Sequence, residues 1–374
     1  MQKILLTLLF LTSALSAKER PEVTGTMRDV FNALMNIQPF IVNGERFKAP
    51  EHKKEITRDL KTMSSLKHVF PKKMVEEEPG IVGIAELFVD YMKDTEKRYH
   101  EGNFEYARHR LATVTGFCFS CHTRVSTSRN FEDFQKRIEG GKYSPYEKAE
   151  MYASTRQWDK ALSSYDSVLT TKPKDELGVI KYTRGLRHAL SISVRVKKDP
   201  NETVNLLNKV AKQDDLAEFV RRFVSHWQKD ARYWASNPDP KEMTGEQKVE
   251  RARELIDRAA KLQAFPADEN GDVSYLRASN LLHEALDNAP KGKFRGEALY
   301  LLGMCYYALQ DPTLWDLDKI YFEACIRENA HSDLSKKCFH KYAEKIYLGY
   351  SGSAGTFIPD DEAKRMAQLR KLAE

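Results

Sequence analysis

Apolar residues recur every three or four positions along most of this chain, a spacing that predicts helices rather than strands. Met27, Val30, Phe31, Leu34 and Ile41 fall on one stripe of a first helix, which Pro39 ends or kinks. A second stripe runs through Ile56, Leu60, Met63, Leu66 and Phe70, and Pro71 and Pro79 then bracket a loop containing Glu76, Glu77 and Glu78. A third carries Ile84, Leu87, Phe88, Tyr91, Thr95 and Tyr99 and stops at Gly102.

The fourth stripe is the most regular. Phe104, Ala107, Leu111, Val114, Cys118, Cys121 and Val125 alternate three and four residues apart without a slip. That repeat is the seam of a helix lying nearly parallel or antiparallel to its neighbours, as in a four-helix bundle. The turn at Gly102-Asn103 is short, so helices three and four are expected to be antiparallel. Both Cys118 and Cys121 then fall on the buried seam of the last helix.

A polar stretch, 126–142, holds Gly140-Gly141 and reads as a linker. Beyond it the chain is expected to be helical almost throughout, with helices near Gly178–Val196, Glu202–Lys212, Leu216–Ala235, Gly245–Leu262 and Val273–Asn288. The fold class expected is therefore all-α, with a first helical domain over 18–125 and a second over 143–374.

The start of the chain changes the picture of where it works. A basic Lys3 precedes an apolar run from Ile4 to Leu11, and small residues follow at Ser13-Ala14-Leu15-Ser16-Ala17. These are the parts of a secretory signal peptide over 1–17. The run is shorter than the roughly 18 apolar residues that span a bilayer, and no later segment is apolar enough to do so. The expected location is periplasmic, with secretion as the alternative. Charged residues make up 30% of the chain and its formal charge of +6 is spread along it. Nothing in that distribution singles out nucleic acid as a partner.

The candidate chemistry is concentrated at Cys118-Phe119-Ser120-Cys121-His122. On a helix, side chains three and four residues apart share a face. Two thiols and an imidazole then meet one flat ligand, the arrangement used to attach haem covalently through two thioethers with the histidine on the iron. A disulfide within one helix would crosslink little. A thioredoxin-like pair is expected near a βαβ pattern, which is missing, and a zinc site would need Cys305 from another region. The cofactor expected is one covalent haem c on Cys118 and Cys121, with His122 as proximal ligand.

The run Ala107-Arg108-His109-Arg110-Leu111-Ala112-Thr113-Val114 into Cys118, after an aromatic third helix and a short turn, resembles the last helix of the cytochrome c-prime family. The resemblance covers about 22–125 and implies a four-helix haem bundle. Members usually carry an Arg four residues after the haem histidine; Ser126 stands there, and Arg124 sits two after it. The family includes five-coordinate gas binders and six-coordinate electron carriers. From Tyr143 to Gly349 the chain resembles tetratricopeptide repeats. Ala149, Tyr152, Ala161, Tyr165 and Pro173 match at one end, with Pro145 and Lys148 where Trp and Leu are usual. Leu299, Leu302, Gly303 and Tyr306, then Leu317, Tyr321 and Ala324 after a two-residue insertion, match at the other. This implies an α-solenoid that docks a protein partner or peptide.

Two further expectations come from helix geometry. In an up-down-up-down bundle helix four runs antiparallel to helix one, so His122 is level with the first turns of helix one and Met27 becomes the distal iron ligand. Met35 lies about 12 Å further in at 1.5 Å per residue, and His100 and His109 are at the other end. Met63, His68 and Met74 are the rivals. Cys325 and Cys338 lie equally far from a turn near Ala330–Ser332, which brings them level for a disulfide and leaves Cys305 over. The functions expected are an electron-transfer module without a substrate of its own, a haem-based gas sensor, or a scaffold in which haem is structural.

Overall fold

The computed structural model describes residues 21–66, 77–124, 130–214, 216–265, 268–310 and 316–374. The proposed signal peptide, Phe70, His68, Met74 and Val125 lie outside the described residues. The described chain is all-α apart from one two-stranded hairpin, β1 Ser351–Gly352 and β2 Gly355–Thr356. Among the described residues no helix is long and apolar enough to cross a membrane.

The first region holds α1 (Pro21–Val42), the short α2 (Gly44–Lys48), α3 (Lys53–Ser64), α4 (Pro79–His100), α5 (Phe104–Thr113) and α6 (Thr115–His122). Helix α1 packs on α3, α3 on α4, and α4 on α5 and α6. Helix α1 continues through Pro39 for three residues. Asn43 then caps α2 through its side chain, which accepts from the Arg46 N–H at 3.2 Å. Gly102 has φ +86°, the left-handed conformation that lets the chain reverse between α4 and α5.

The expected single fourth helix is broken at Val114. The Tyr91 hydroxyl donates to the Arg110 carbonyl at 3.0 Å, the acceptor that the Val114 N–H would use in a continuous helix. Val114 bonds instead to Leu111, at 3.4 Å. A side chain inserted into the backbone ladder is an ordinary cause of such a break.

The second region continues with α7 (Gln135–Gly140), α8 (Pro145–Ser154), α9 (Trp158–Leu169) and α10 (Glu176–Ser191), which runs into a π-helical turn, Ile192–Lys197. Then come α11 (Pro200–Ala211), α12 (Glu218–Ser236), α13 (Gly245–Leu262), α14 (Asp272–Asn288), α15 (Arg295–Leu309), α16 (Leu317–Glu328), α17 (Asp333–Gly349) and α18 (Asp360–Ala373). Most of these helices pack on their neighbours in sequence, α8 on α9, α11 on α12, and α13 through α18 in succession. Sharp starts explain the short connections: Ser144 and Glu147 form a reciprocal capping box with Pro145 at the first helical position, and Thr244 and Gln247 form another.

The stretch expected as a linker is packed where it is described. Phe131, Phe134 and Ile138 are buried, and Phe134 meets Phe31 of α1 edge to face at 4.6 Å. Arg137 donates to Asn32 at 2.8 Å and to Asn36 at 3.0 Å, both on α1. Its polar residues misled because they bond to another helix rather than to water. The two regions therefore share one continuous core. Helix α4 also lies against α16, where a side chain in place of Gly80 would collide with Tyr321, and one in place of Gly83 with Ile320.

Candidate functional site

Helix α6 carries the motif, and almost every residue on it is buried: Thr115, Gly116, Phe117, Phe119, Ser120 and His122. Cys118 and Cys121 are half-buried instead of sealed in a seam, because they form part of a cavity wall. That cavity measures about 60 Å3 and opens partly to solvent. Helix α1 supplies Met27, Val30, Phe31 and Leu34; α4 supplies Ile84, Ala85 and Phe88; Leu66, Phe117 and Phe131 complete the apolar lining. Its polar edge consists of Cys118, Cys121, His122 and Ser154.

The chemistry of that edge follows from burial. Desolvation pushes the Cys118 thiol up to about 12 and raises Cys121 as well, so both sulfurs are neutral thiols at ordinary pH. Burial also lowers His122 well below the usual histidine range; Arg156 pushes the same way, and a hydrogen bond to the Ser154 backbone opposes them. The ring is therefore neutral, and its buried Nδ1 has no hydrogen-bond partner. A neutral imidazole oriented by a backbone group, with a second nitrogen unspent, has the donor properties of a metal ligand.

Of the rivals for an axial position, Met27 lines the cavity, half-buried. Met35 and Met63 are buried in the core and do not line it. His100 and His109 are exposed at the end of the first region where α4 turns into α5.

The opposite face of α6 is held by the second region, which sequence reasoning did not anticipate. Thr115 donates to Glu150 at 2.9 Å, and Phe119 stacks on His188. Glu150 also accepts from Tyr165 at 2.6 Å and from His188 Nδ1 at 2.8 Å. Burial alone would raise the Glu150 carboxyl, but the His188 charge and hydrogen bond, Arg184 and Tyr165 outweigh it and hold it at about 2. Just after α6, Arg124 donates through Nε to the Tyr306 hydroxyl at 2.7 Å and through a terminal nitrogen to the Ser120 carbonyl at 2.6 Å. Tyr165 and Tyr306 are both visible as repeat positions, but nothing in their spacing marks them as partners of the motif. Ser154 and Phe131 reach the cavity through the turn after α8, where the Phe131 N–H bonds the Thr155 carbonyl at 3.0 Å.

Outside this site, Cys325 on α16 and Cys338 on α17 form a disulfide with Cα atoms 6.2 Å apart. Cys305 is a free, buried thiol. No family model, curated protein or solved structure matches this chain.

Proposed function

We propose that this chain is an exported c-type cytochrome with one haem c attached through Cys118 and Cys121, acting as a one-electron transfer module. The observation that carries this reading is the convergence of Met27, Cys118, Cys121 and His122 on one apolar cavity. The residues fit the group: two neutral thiols, a neutral imidazole with an unpartnered nitrogen, and an apolar lining suited to a flat macrocycle. When bound, haem supplies one-electron redox chemistry, which calls for no catalytic side chain. His122 is the proximal ligand, oriented by Ser154, and Met27 is the distal one. In architectural terms we read the first region as a four-helix haem bundle and the second as a tetratricopeptide-like solenoid. The part of the solenoid that meets α6 is used by its own chain, so a protein redox partner or peptide docks elsewhere on it.

The test is acid–acetone extraction of protein matured with the cytochrome c machinery. Haem is expected to stay with the polypeptide, to add the mass of one haem, and to be lost in Cys118→Ala, Cys121→Ala double variants. Complete extraction from the wild type overturns the reading. An iron that is high-spin and binds carbon monoxide freely in the wild type moves the assignment to the gas-binding alternative.

A further inference from the structure

Behind the motif helix, the guanidinium groups of Arg124 and Arg195 meet at Tyr306, and a third arginine, Arg156, acts on the motif itself. Arg124 follows His122 by two residues and is buried. Arg195, also buried, comes from the π-helical turn and donates to Ser279 at 2.8 Å and to the Tyr306 hydroxyl at 3.4 Å. Arg156, at the turn after α8, has φ +59° and acts electrostatically on Cys121 and His122. Acidic groups facing the same cluster include Glu78, which acts on Cys121 and Tyr321, and the buried Asp272, on which Arg195 acts. Glu150 acts on Cys118 from the other side.

Tyr306 organises two of these arginines, Arg124 and Arg195. Its oxygen accepts from Arg124 at 2.7 Å and Arg195 at 3.4 Å, and its hydroxyl proton has an acceptor in His283 Nε2 at 2.7 Å. His283 is kept neutral by burial and by Arg124 and Arg195, so it can take that role. The Arg124 guanidinium also lies over the Tyr306 ring, 4.4 Å from its centroid. Together with the Ser120 carbonyl, which accepts from the same guanidinium at 2.6 Å, the phenol thus fixes the buried charge in one rotamer.

We propose that Tyr306 is a positioning residue that holds the Arg124 charge against the haem helix and so biases the haem toward its reduced form. The inference rests on the haem reading above. Reduction removes one positive charge from the iron centre, and a fixed cation nearby favours the less positive state. By Coulomb's law at an effective dielectric near ~20, a fixed unit charge in the neighbourhood of a redox centre is worth on the order of tenfold in the reduced-to-oxidised ratio.

The test is spectroelectrochemical titration of the full-length holoprotein as wild type, Arg124→Gln, Arg124→Lys and Tyr306→Phe. Arg124→Gln is expected to lower the midpoint by about tenfold in that ratio, roughly 59 mV for a one-electron couple. Arg124→Lys should restore most of it, and Tyr306→Phe should lower it with the Arg124 charge still present. A midpoint unchanged in both Arg124→Gln and Tyr306→Phe, with haem attached, overturns the proposal. Should Arg124→Gln fail to fold, Tyr306→Phe and Arg195→Gln decide by the same reading. Urea unfolding of the two single variants and the double supplies a measurement independent of haem: non-additive losses are expected, and additive ones overturn the positioning role. A wild type without attached haem is a distinct result that removes the proposed function itself.

Discussion

Phe119 lies flat on His188, with ring centroids 3.8 Å apart and planes only 10° from parallel. One ring belongs to the Cys118–His122 motif and the other to α10 of the second region, so the motif helix is shared between the two. Residues 18–142 expressed alone would expose Phe119, Thr115 and Arg124. That fragment is expected to melt well below the full chain and to bind an exposed-apolar-surface dye; equal melting temperatures would show that the regions are independent.

Glu150 ties that stack to stability. Its folded carboxyl, near 2, is below the ordinary 4.5, so the interaction contributes fully above the ordinary value and is lost as pH falls through about 2. Glu150→Gln breaks a buried charge network and is expected to cost about 3–5 kcal/mol at pH 7. The difference between wild type and variant should shrink as pH drops from 4.5 toward 2, as read by urea unfolding at several pH values. A gap that stays constant over that range contradicts the assignment.

Met27 is testable by spectroscopy. With Met27 on the iron, the oxidised protein should show a weak near-infrared sulfur-to-iron band. Met27→Ala is expected to abolish it and to let the ferrous protein take up carbon monoxide. Retention of the band in Met27→Ala would hand the position to another sulfur, with Met74 the rival that remains.

The disulfide is a separate check on the second region. Cys325 and Cys338 are 13 residues apart, and a loop of that size gives about 3 kcal/mol of stabilisation. Peptide mapping without reduction should yield one Cys325–Cys338 linked pair. The Cys325→Ala, Cys338→Ala variant should unfold at correspondingly lower denaturant concentration, and free thiols at both positions in periplasmic material would refute the bond's formation in the cell.

The site was partly legible in the sequence because helix periodicity carries depth as well as direction. The three-four alternation through Leu111, Cys118 and Cys121 placed the motif on a packed helix, and the expected antiparallel geometry pointed to Met27, which lines the cavity, over Met35 and His100, which do not. The Gly102 turn and the Ser144 cap were equally readable. What periodicity did not carry was contact between distant segments. Tyr91 breaks the fourth helix by competing for one carbonyl, Arg137 turns a polar linker into a strap across α1, and Glu150 charges a core position. Each depends on a partner remote in sequence, and each involves a polar residue that pattern reading assigns to water.

The burial of α6 on nearly every side also sets an order of events in the making of the protein. Its cysteines are translated before residues 143–374, the part of the chain that later covers the helix. In the finished fold an enzyme has no room to grip Cys118-Phe119-Ser120-Cys121-His122 as an extended strand. On the proposed reading, haem must therefore be joined while this stretch is still open chain, and closure of the downstream helices serves as the step that makes the attachment final.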